Sequence, residues 1–366
     1  DVDAFDNNIM VTCELGFVEN QYLFGAFKVI PGDVKVSVTT NKMLMLLPEE
    51  PMRPRFADPR LGVSFMEVSQ VENDRKGLKS TFYTKRWRVE PVDEAAHRRG
   101  EVVEVKKPIV FYMDTLMPKA WQPYIKEGIK AWNEAFEKIG FRNVVRVMDF
   151  PKDDPDFNAN NIKYSTIRYA PLWLDMQNSM HVDPRTGEIL NASLYIYDGL
   201  VSGLKTNRML TTMAADPGVR TTRFSEEMMG ELIRAEIMRE AGINLGLVYN
   251  AGASAVYPVD SLRSAKFTQK YGTTPSIMDY ARFNYVAQPE DKGVKLTPPN
   301  LGIYDEYVIK WLYSPLYGLS AKEEQAMLES WIDEHAGDPI YRYGKQQVIA
   351  RYDPSALEED LGDDAI

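Results

Sequence analysis

The sequence predicts a mixed α/β (α+β) fold in three parts: a β-rich N-terminal region over residues 1–105, a mixed-sheet domain over 106–300 and a helical C-terminal part over 301–366. Three observations predict it. Apolar and polar residues alternate in short stretches near the N-terminus, strand-like and helix-like stretches alternate in the middle, and apolar residues recur at helical spacing after position 301.

The N-terminal region contains stretches that are typical of strands. They are "IMVTCELGFV" (9–18), "YLFGAFKVI" (22–30) and "VKVSVTT" (34–40). Pro31 and Gly32 separate the second stretch from the third, and this pair interrupts regular structure. The region is therefore predicted to consist mainly of short strands.

The middle of the chain follows the order strand, helix, three strands, helix. The predicted strands are "KPIVFYMD" (107–114), "NVVRVMDF" (143–150), "KYSTIRYAP" (163–171) and "NASLYIYDG" (191–199). One helix is predicted over 118–140 with Gly140 at its C-terminal end, and a longer one from about Ser225 to Leu245 with Ser225 as N-cap. After residue 301, "IYDEYVIKWLY" and "AKEEQAMLESWIDEHA" predict two further helices.

Composition excludes several classes of protein. With 44% apolar and 26% charged residues, the chain has the composition of a soluble globular protein. A net charge of −10 argues against a nucleic-acid partner, because phosphate binding requires clustered Lys and Arg. The single cysteine, Cys13, excludes an intramolecular disulfide and a Cys-rich zinc site. The longest apolar runs are too short for a transmembrane segment.

The segment "REAGINLGLVYN" (239–250) has the spacing of a zinc-peptidase helix without its histidines. Such helices carry a metal ligand, then a general-base glutamate, and a second ligand four residues after the first. In the metzincin form a glycine follows at the eighth position and a third ligand at the eleventh, with a Met-turn beneath the site. Here Glu240 and Gly246 stand at the base and glycine positions, whereas the three ligand positions hold Arg239, Ile243 and Tyr249.

This segment resembles a family of large bacterial secreted zinc-dependent metallopeptidases whose motif reads HE-x-GH-x-LGL-x-HN. "SIMDYA" (276–281) supplies Met278 as the candidate Met-turn residue. Other blocks resemble the family in the same order: "MRPRFADPRLG", "RWRVEP", "KPIVFYMD", "IRYAP", "DPRTGEILNA", "YPVDSLRSA" and "TPSIMDYARFNYVAQPED". The resemblance therefore covers nearly the whole chain and departs from the family at the metal ligands.

The resemblance implies a zincin-like metallopeptidase domain, with a mixed sheet and an active-site helix, that uses zinc. It also implies a leader before this sequence, further residues after it, and a secreted or periplasmic location, with attachment to the outer membrane left open. Because Arg stays protonated and Ile has no donor atom, we predict no zinc cofactor and no metal ligand in this chain. Glu240 is then expected to stand idle at the general-base position.

Other metal sites remain as alternatives. His97, His181 and His335 lie in separate segments, and of these we expect only His181 to approach the cleft. A carboxylate site built from Glu236, Glu240 and Asp279 could hold Mg²⁺ or Ca²⁺. The simpler prediction is an ion pair between Arg239 and Glu236, which are three residues apart on one helix, with the guanidinium replacing the charge of the lost metal.

The strand "ASLYIY" is predicted to form the rim of the cleft. In zincins the edge strand of the sheet binds an extended substrate by strand addition, and this needs no metal. The residues of this predicted rim strand are Ala192, Ser193, Leu194, Tyr195, Ile196 and Tyr197. An ordinary half-buried strand with aromatic residues in the core is the alternative.

Three functions follow as hypotheses. The first is an inactive pseudopeptidase that binds a peptide or protein in the former active-site cleft. The second is an active metal-dependent hydrolase with an unorthodox site around Glu240. The third is a structural or assembly protein.

Overall fold

The structure is a computed structural model that describes residues 1–19, 22–23, 27–28, 34–71, 77–154, 157–172, 174, 176–281, 283–298, 300–349 and 351–364. Residues 24–26 and 29–30 of the second predicted N-terminal strand, and the interruption at Pro31 and Gly32, lie outside these residues.

The described part of the chain contains both strands and helices. The strands are β1 (Val2–Ala4), β2 (Asn8–Glu19), β3 (Tyr22–Leu23), β4 (Phe27–Lys28), β5 (Val34–Met45), β6 (Phe65–Val71), β7 (Leu78–Thr84), β8 (Val103–Glu104), β9 (Ile109–Met113), β10 (Phe141–Arg142), β11 (Val145–Asp149), β12 (Ser165–Ala170), β13 (Met176–Val182) and β14 (Ile189–Tyr197). The helices are α1 (Glu94–Arg98), α2 (Gln122–Lys130), α3 (Asn133–Glu137), α4 (Asp198–Thr212), α5 (Glu226–Asn244), α6 (Val259–Leu262), α7 (Ala265–Tyr271), α8 (Ile303–Tyr313) and α9 (Ala321–Asp333), with 3-10 turns at Pro217–Val219, Ser254–Val256 and Pro339–Tyr341.

The chain divides into two compact units, Asp1–Pro51 with Pro151–Tyr164 and Met52–Phe150 with Ser165–Ile366. The first unit contains an antiparallel sheet in the order β1-β2-β5, in which Asn8 pairs with Met45 and Glu19 with Val34. The β-rich N-terminus and the mixed α/β class are therefore confirmed. The three-part division at residues 105 and 300 stays a prediction.

The second unit is built on a five-stranded sheet in the order β11-β9-β12-β14-β13. The first four strands run parallel, and β13 runs antiparallel to β14. The predicted rim strand is part of β14, which pairs with β12 on one side and β13 on the other. The expectation that residues 192–197 form an edge is therefore wrong. In the described part of the chain this edge of the sheet is β13.

Helix α5 begins and ends where the sequence predicts. The side chain of Ser225 accepts a hydrogen bond from the N–H of Met228, which satisfies a donor of the first turn. At the other end the N–H of Leu247 donates to the carbonyl of Gly242, and the N–H of Gly246 to that of Ile243. This Schellman motif places Gly246 at φ +90°, a conformation that glycine adopts at no steric cost. The chain therefore reverses at Gly246 and returns toward α5.

One other prediction of secondary structure needs correction. The single helix expected over 118–140 is interrupted at Ala131 and Trp132, giving α2 and α3. Trp132 is completely buried, and its indole N–H donates to the carbonyl of Met238 in α5 at 2.8 Å. Neither β13 nor α4 was predicted. Gly140, the expected C-terminal residue, does adopt a positive φ of 85°.

The C-terminal helices are confirmed as α8 and α9. Ser320 and Glu323 form a reciprocal capping box at the start of α9. The main hydrophobic core of the second unit includes side chains of the sheet, α2, α3, α5 and α8. None of the helices in the described ranges combines the length and apolar character needed to cross a bilayer.

Candidate functional site

Helix α5 carries three charged side chains into the interior of the second unit. Glu236, Arg239 and Glu240 have relative exposures of 5%, 4% and 6%. Their spacing of three and four residues places all of them on one face of the helix. Three buried charges in one turn are costly unless they compensate each other. Their contacts therefore determine what this site can do.

Arg239 stands at the first ligand position and compensates both glutamates. Its Nη2 donates to Oε1 of Glu236 in a short ion pair. Its Nε lies 3.7 Å from Oε1 of Glu240, which is an electrostatic contact without a hydrogen bond. The guanidinium carbon lies 4.5 Å from the ring centroid of Tyr280 and 5.7 Å from that of Tyr249. The guanidinium is thus surrounded by carboxylates and aromatic rings, which both favour a cation.

The electrostatics keep Arg239 charged. Burial by itself lowers the pKa of its guanidinium, but the neighbouring Glu236 and Glu240 together raise that pKa above its ordinary value. A permanently protonated group cannot donate a lone pair to a metal. The predicted ion pair with Glu236 is present, and Arg239 supplies positive charge at a helix position where the resemblance expects a metal ligand.

Both carboxylate oxygens of Glu240 accept hydrogen bonds. The hydroxyl of Tyr249 donates to Oε1 at 2.8 Å, and Nδ2 of Asn178 on β13 donates to Oε2. A general base in a zinc peptidase must accept a proton from metal-bound water. Here both carboxylate oxygens of Glu240 already accept hydrogen bonds, from Tyr249 and from Asn178.

Tyr249 reaches Glu240 because the backbone after α5 is fixed on both sides. The N–H of Val248 donates to the carbonyl of Gly62 at 3.0 Å. The buried Asn250 accepts from the N–H of Gly344 at 2.8 Å and donates to the carbonyl of Arg342 at 3.0 Å. Burial and the nearby Glu240 raise the pKa of the Tyr249 hydroxyl. The hydroxyl therefore keeps its proton and acts as a donor to Glu240.

The second ligand position and the Met-turn belong to the hydrophobic core. Ile243 is half-buried and packs against the main core cluster. Met278 is completely buried beneath α5, and a Cβ added to Gly242 would lie 2.4 Å from its Sδ. Asp305 of α8 holds this turn, since its carboxylate accepts from the hydroxyl of Ser276 at 2.6 Å and the N–H of Ile277 at 2.8 Å. The glycine is thus required for the close approach of the Met-turn.

The residues at the ligand positions do not suit zinc. A guanidinium and an aliphatic side chain provide no donor atom, and the remaining phenol is protonated and bonded to Glu240. The alternative carboxylate site does not form either. Both oxygens of Asp279 accept backbone N–H groups, from Ser254 and Ala281. Among the described residues no group of three or more His, Cys, Asp or Glu side chains could hold a metal.

The three histidines have other surroundings. His97 is half-buried, with Nε2 2.9 Å from the carbonyl of Ile139, and His335 stacks on Tyr341 at 3.7 Å. His181 is exposed on β13, three residues after Asn178. Residues three apart on a strand point to opposite faces, so His181 faces away from Glu240. The expectation that His181 approaches the site is therefore wrong.

Sequence reasoning missed two residues of the site. Tyr280 could have been found, because it lies two residues after Met278 in the Met-turn segment. Asn178 carried little signal, because "MQNSMHV" shows weak alternation and β13 was not predicted. Of the predicted rim strand, Ala192 to Leu194 and Ile196 are buried, and Tyr195 and Tyr197 are half-buried.

Comparison with known families agrees with this geometry. Residues 221–366 match a family model described as Met-zincin, and residues 1–92 match one described as Domain of unknown function (DUF5117). A search of curated proteins and a search of solved structures found no match. The matched range 221–366 includes α5, the return at Gly246 and the Met-turn.

Proposed function

We propose that this metallopeptidase-like protein, whose residues 221–366 match a Met-zincin family model, is a pseudopeptidase that binds an extended peptide in the former active-site cleft. The observation that carries this proposal is the set of protein contacts around the metzincin ligand positions. Arg239 supplies the positive charge between Glu236 and Glu240, and Tyr249 and Asn178 occupy the oxygens of Glu240.

Peptide binding is supported by the position of β13. In the described part of the chain it has a strand neighbour on one side only, so its other side offers backbone N–H and C=O groups for strand addition. Asn178 connects β13 directly to Glu240 on α5. A peptide added along β13 would therefore pass the former catalytic position without needing a metal.

Metal content tests the loss of zinc chemistry. The purified protein is dialysed against trace zinc, and zinc is then measured by mass spectrometry. We expect far less than one zinc per chain. The matched control is the variant with Arg239→His, Ile243→His and Tyr249→His, in which we expect about one zinc per chain because the three ligands return at metzincin spacing. About one zinc in the unaltered protein would instead support the hydrolase with an unorthodox site.

Peptide binding needs its own test. A phage library of random decapeptides is selected on the protein, and a selected peptide is then followed by hydrogen exchange. We expect slower exchange of amides in β13, because strand addition pairs them. A library that yields no binder, or a peptide that protects only other segments, would count against the cleft and favour the assembly role.

Location is a separate proposal. A secreted or periplasmic location rests on the resemblance alone. Cell fractionation followed by immunoblotting tests it, and recovery of the protein in the cytoplasmic fraction would refute it.

A further inference from the structure

A cavity in the second unit has walls that come from other elements than those of the Arg239 site. Its volume is about 430 Å³, and it lies between α8, the C-terminal end of α9, the 3-10 turn Pro339–Tyr341 and the loop at Arg60 and Leu61. Cavities of this size hold small organic ligands. We call it the tyrosine cavity because Tyr307, Tyr341 and Tyr343 line it.

The walls are aromatic rings set at right angles. His335 stacks on Tyr341, with ring centroids 3.7 Å apart and planes 16° apart. The ring of Tyr307 meets both at a steep angle, 83° to His335 and 81° to Tyr341, with centroids 5.2 Å and 5.1 Å away. Aromatic rings oriented in more than one direction can attract an organic cation with the faces that the neighbouring rings leave open.

The charges at the rim favour the same ligand class. Two guanidinium groups line the cavity, but carboxylates already neutralise them: Arg60 contacts Asp58 and Asp333, each at 2.7 Å, and Arg342 contacts Asp353 at 2.6 Å. Asp338 also lines the cavity, and among the described residues it forms no ion pair. After these pairs, Asp338 is the cavity-lining carboxylate that no guanidinium neutralises among the described residues.

The helix dipole adds to this negative potential. Helix α9 ends at Asp333, beside the cavity, and its last turn contains no basic residue. The C-terminal end of a helix carries partial negative charge and stabilises a nearby cation. Burial, opposed by Arg60 and assisted by Asp58 and Glu334, raises the pKa of Tyr307 to about 12.

We propose that the tyrosine cavity binds an organic ammonium ion. The aromatic rings attract the charge, and Asp338 and the C-terminal end of α9 offset its desolvation. The same chemistry could come from a free quaternary amine or from a lysine side chain of a peptide. This inference does not depend on the state of the Arg239 site.

Calorimetric titration with matched probes tests the charge requirement. Choline is compared with 3,3-dimethylbutan-1-ol, its neutral isostere. We expect choline to bind with a millimolar or lower dissociation constant and the alcohol to bind at least about tenfold more weakly. Equal binding of the two, or no binding of choline, would overturn the proposal. Titration with N-acetyl-lysine methylamide distinguishes the two sources. Tighter binding of choline indicates a free quaternary amine, and tighter binding of the lysine analogue indicates a lysine side chain.

Two variants test the location. The side chain of Asp338 accepts a hydrogen bond from the N–H of Ile340 at 3.0 Å. Asp338→Asn keeps an oxygen for this hydrogen bond and removes only the charge. Tyr341→Leu removes an aromatic wall. We expect each to raise the choline dissociation constant, by about threefold and about tenfold respectively. Glu101→Gln, at an exposed ion pair, is the control and should leave it unchanged. Unchanged binding in the folded Asp338→Asn variant would refute this cavity as the site.

Discussion

The hydroxyl of Tyr249 donates a hydrogen bond to Oε1 of Glu240 at 2.8 Å. In the metzincin pattern these two positions belong to the third metal ligand and the general base, which cooperate through the metal and its water. Here the two side chains contact each other directly. The glutamate and glycine of the helix pattern are thus present, and the polar side chains of the site contact each other.

Arg239→Met should destabilise the protein by about 3–5 kcal/mol, because it leaves two buried carboxylates without a counter-charge. Urea unfolding measures the change. Arg99→Met is the control, since Arg99 forms an exposed pair with Glu101 that should contribute less than about 1 kcal/mol. Adding Glu236→Gln and Glu240→Gln to Arg239→Met should recover part of the loss. A loss below 1 kcal/mol for Arg239→Met would contradict the proposed role of the guanidinium.

Tyr249→Phe should cost about 1.5–3 kcal/mol of unfolding free energy, because it removes the hydrogen-bond donor to a buried carboxylate oxygen of Glu240. Unfolding free energies of this variant and the unaltered protein provide the measurement. Tyr352→Phe is the control, because Tyr352 is 88% exposed and its hydroxyl can be hydrated before and after folding. Equal stabilities of the two variants would show that the hydrogen bond to Glu240 contributes little.

Gly242→Ala should destabilise the protein by about 1–3 kcal/mol or more. The added methyl group would lie 2.4 Å from Sδ of Met278 and 2.6 Å from Cζ2 of Trp132. Gly203→Ala in α4 is the matched helical control, since no neighbouring atom lies within 4 Å of the added Cβ. That variant should gain about 0.5–1 kcal/mol from the lower entropy of its unfolded chain. A neutral Gly242→Ala would mean that the Met-turn does not approach α5 this closely.

Stability should fall as pH rises from about 4 to about 7. Burial, and then the nearby Asp360, raises the pKa of Asp279 from 3.8 to about 7, and burial raises that of Asp305 to about 6. A carboxyl group whose pKa is higher in the folded state binds more protons in that state than in the unfolded chain. Its contribution to the free energy of unfolding is therefore complete below its pKa in the unfolded chain, and it is lost as pH rises through its pKa in the folded protein. Asp279→Asn should therefore weaken the dependence of stability on pH between about 4 and about 7. Asp305 should leave a smaller dependence in that variant.

Urea midpoints at pH 4, 5.5 and 7 measure this dependence. Asp353→Asn is the comparison, because a hydrogen bond from Ser355 lowers the pKa of Asp353 and any contribution it makes is lost at acid pH instead. Its profile between pH 4 and 7 should match that of the unaltered protein. An Asp279→Asn profile as steep as the original would remove Asp279 as the cause.

Local pattern was sufficient for much of the fold. Helix α5, its Ser225 N-cap and its end at Gly246 were predictable because each depends on residues within one or two turns. Strands β9, β11, β12 and β14 were predictable from apolar runs. The division of 118–140 into α2 and α3, and the edge position of β13, were not predictable because they depend on packing between distant segments.

The sequence by itself determined that Arg239, Ile243 and Tyr249 stand at metzincin ligand positions and that an ion pair between Arg239 and Glu236 was available, since both depend only on helical spacing. Only the tertiary structure decided what Glu240 contacts. Asn178 comes from β13, and Tyr249 reaches Glu240 after the chain reverses at Gly246. The physical reason is that a carboxylate's hydrogen bonds are set by distances in space, and the folded chain brings together groups that lie up to 62 residues apart.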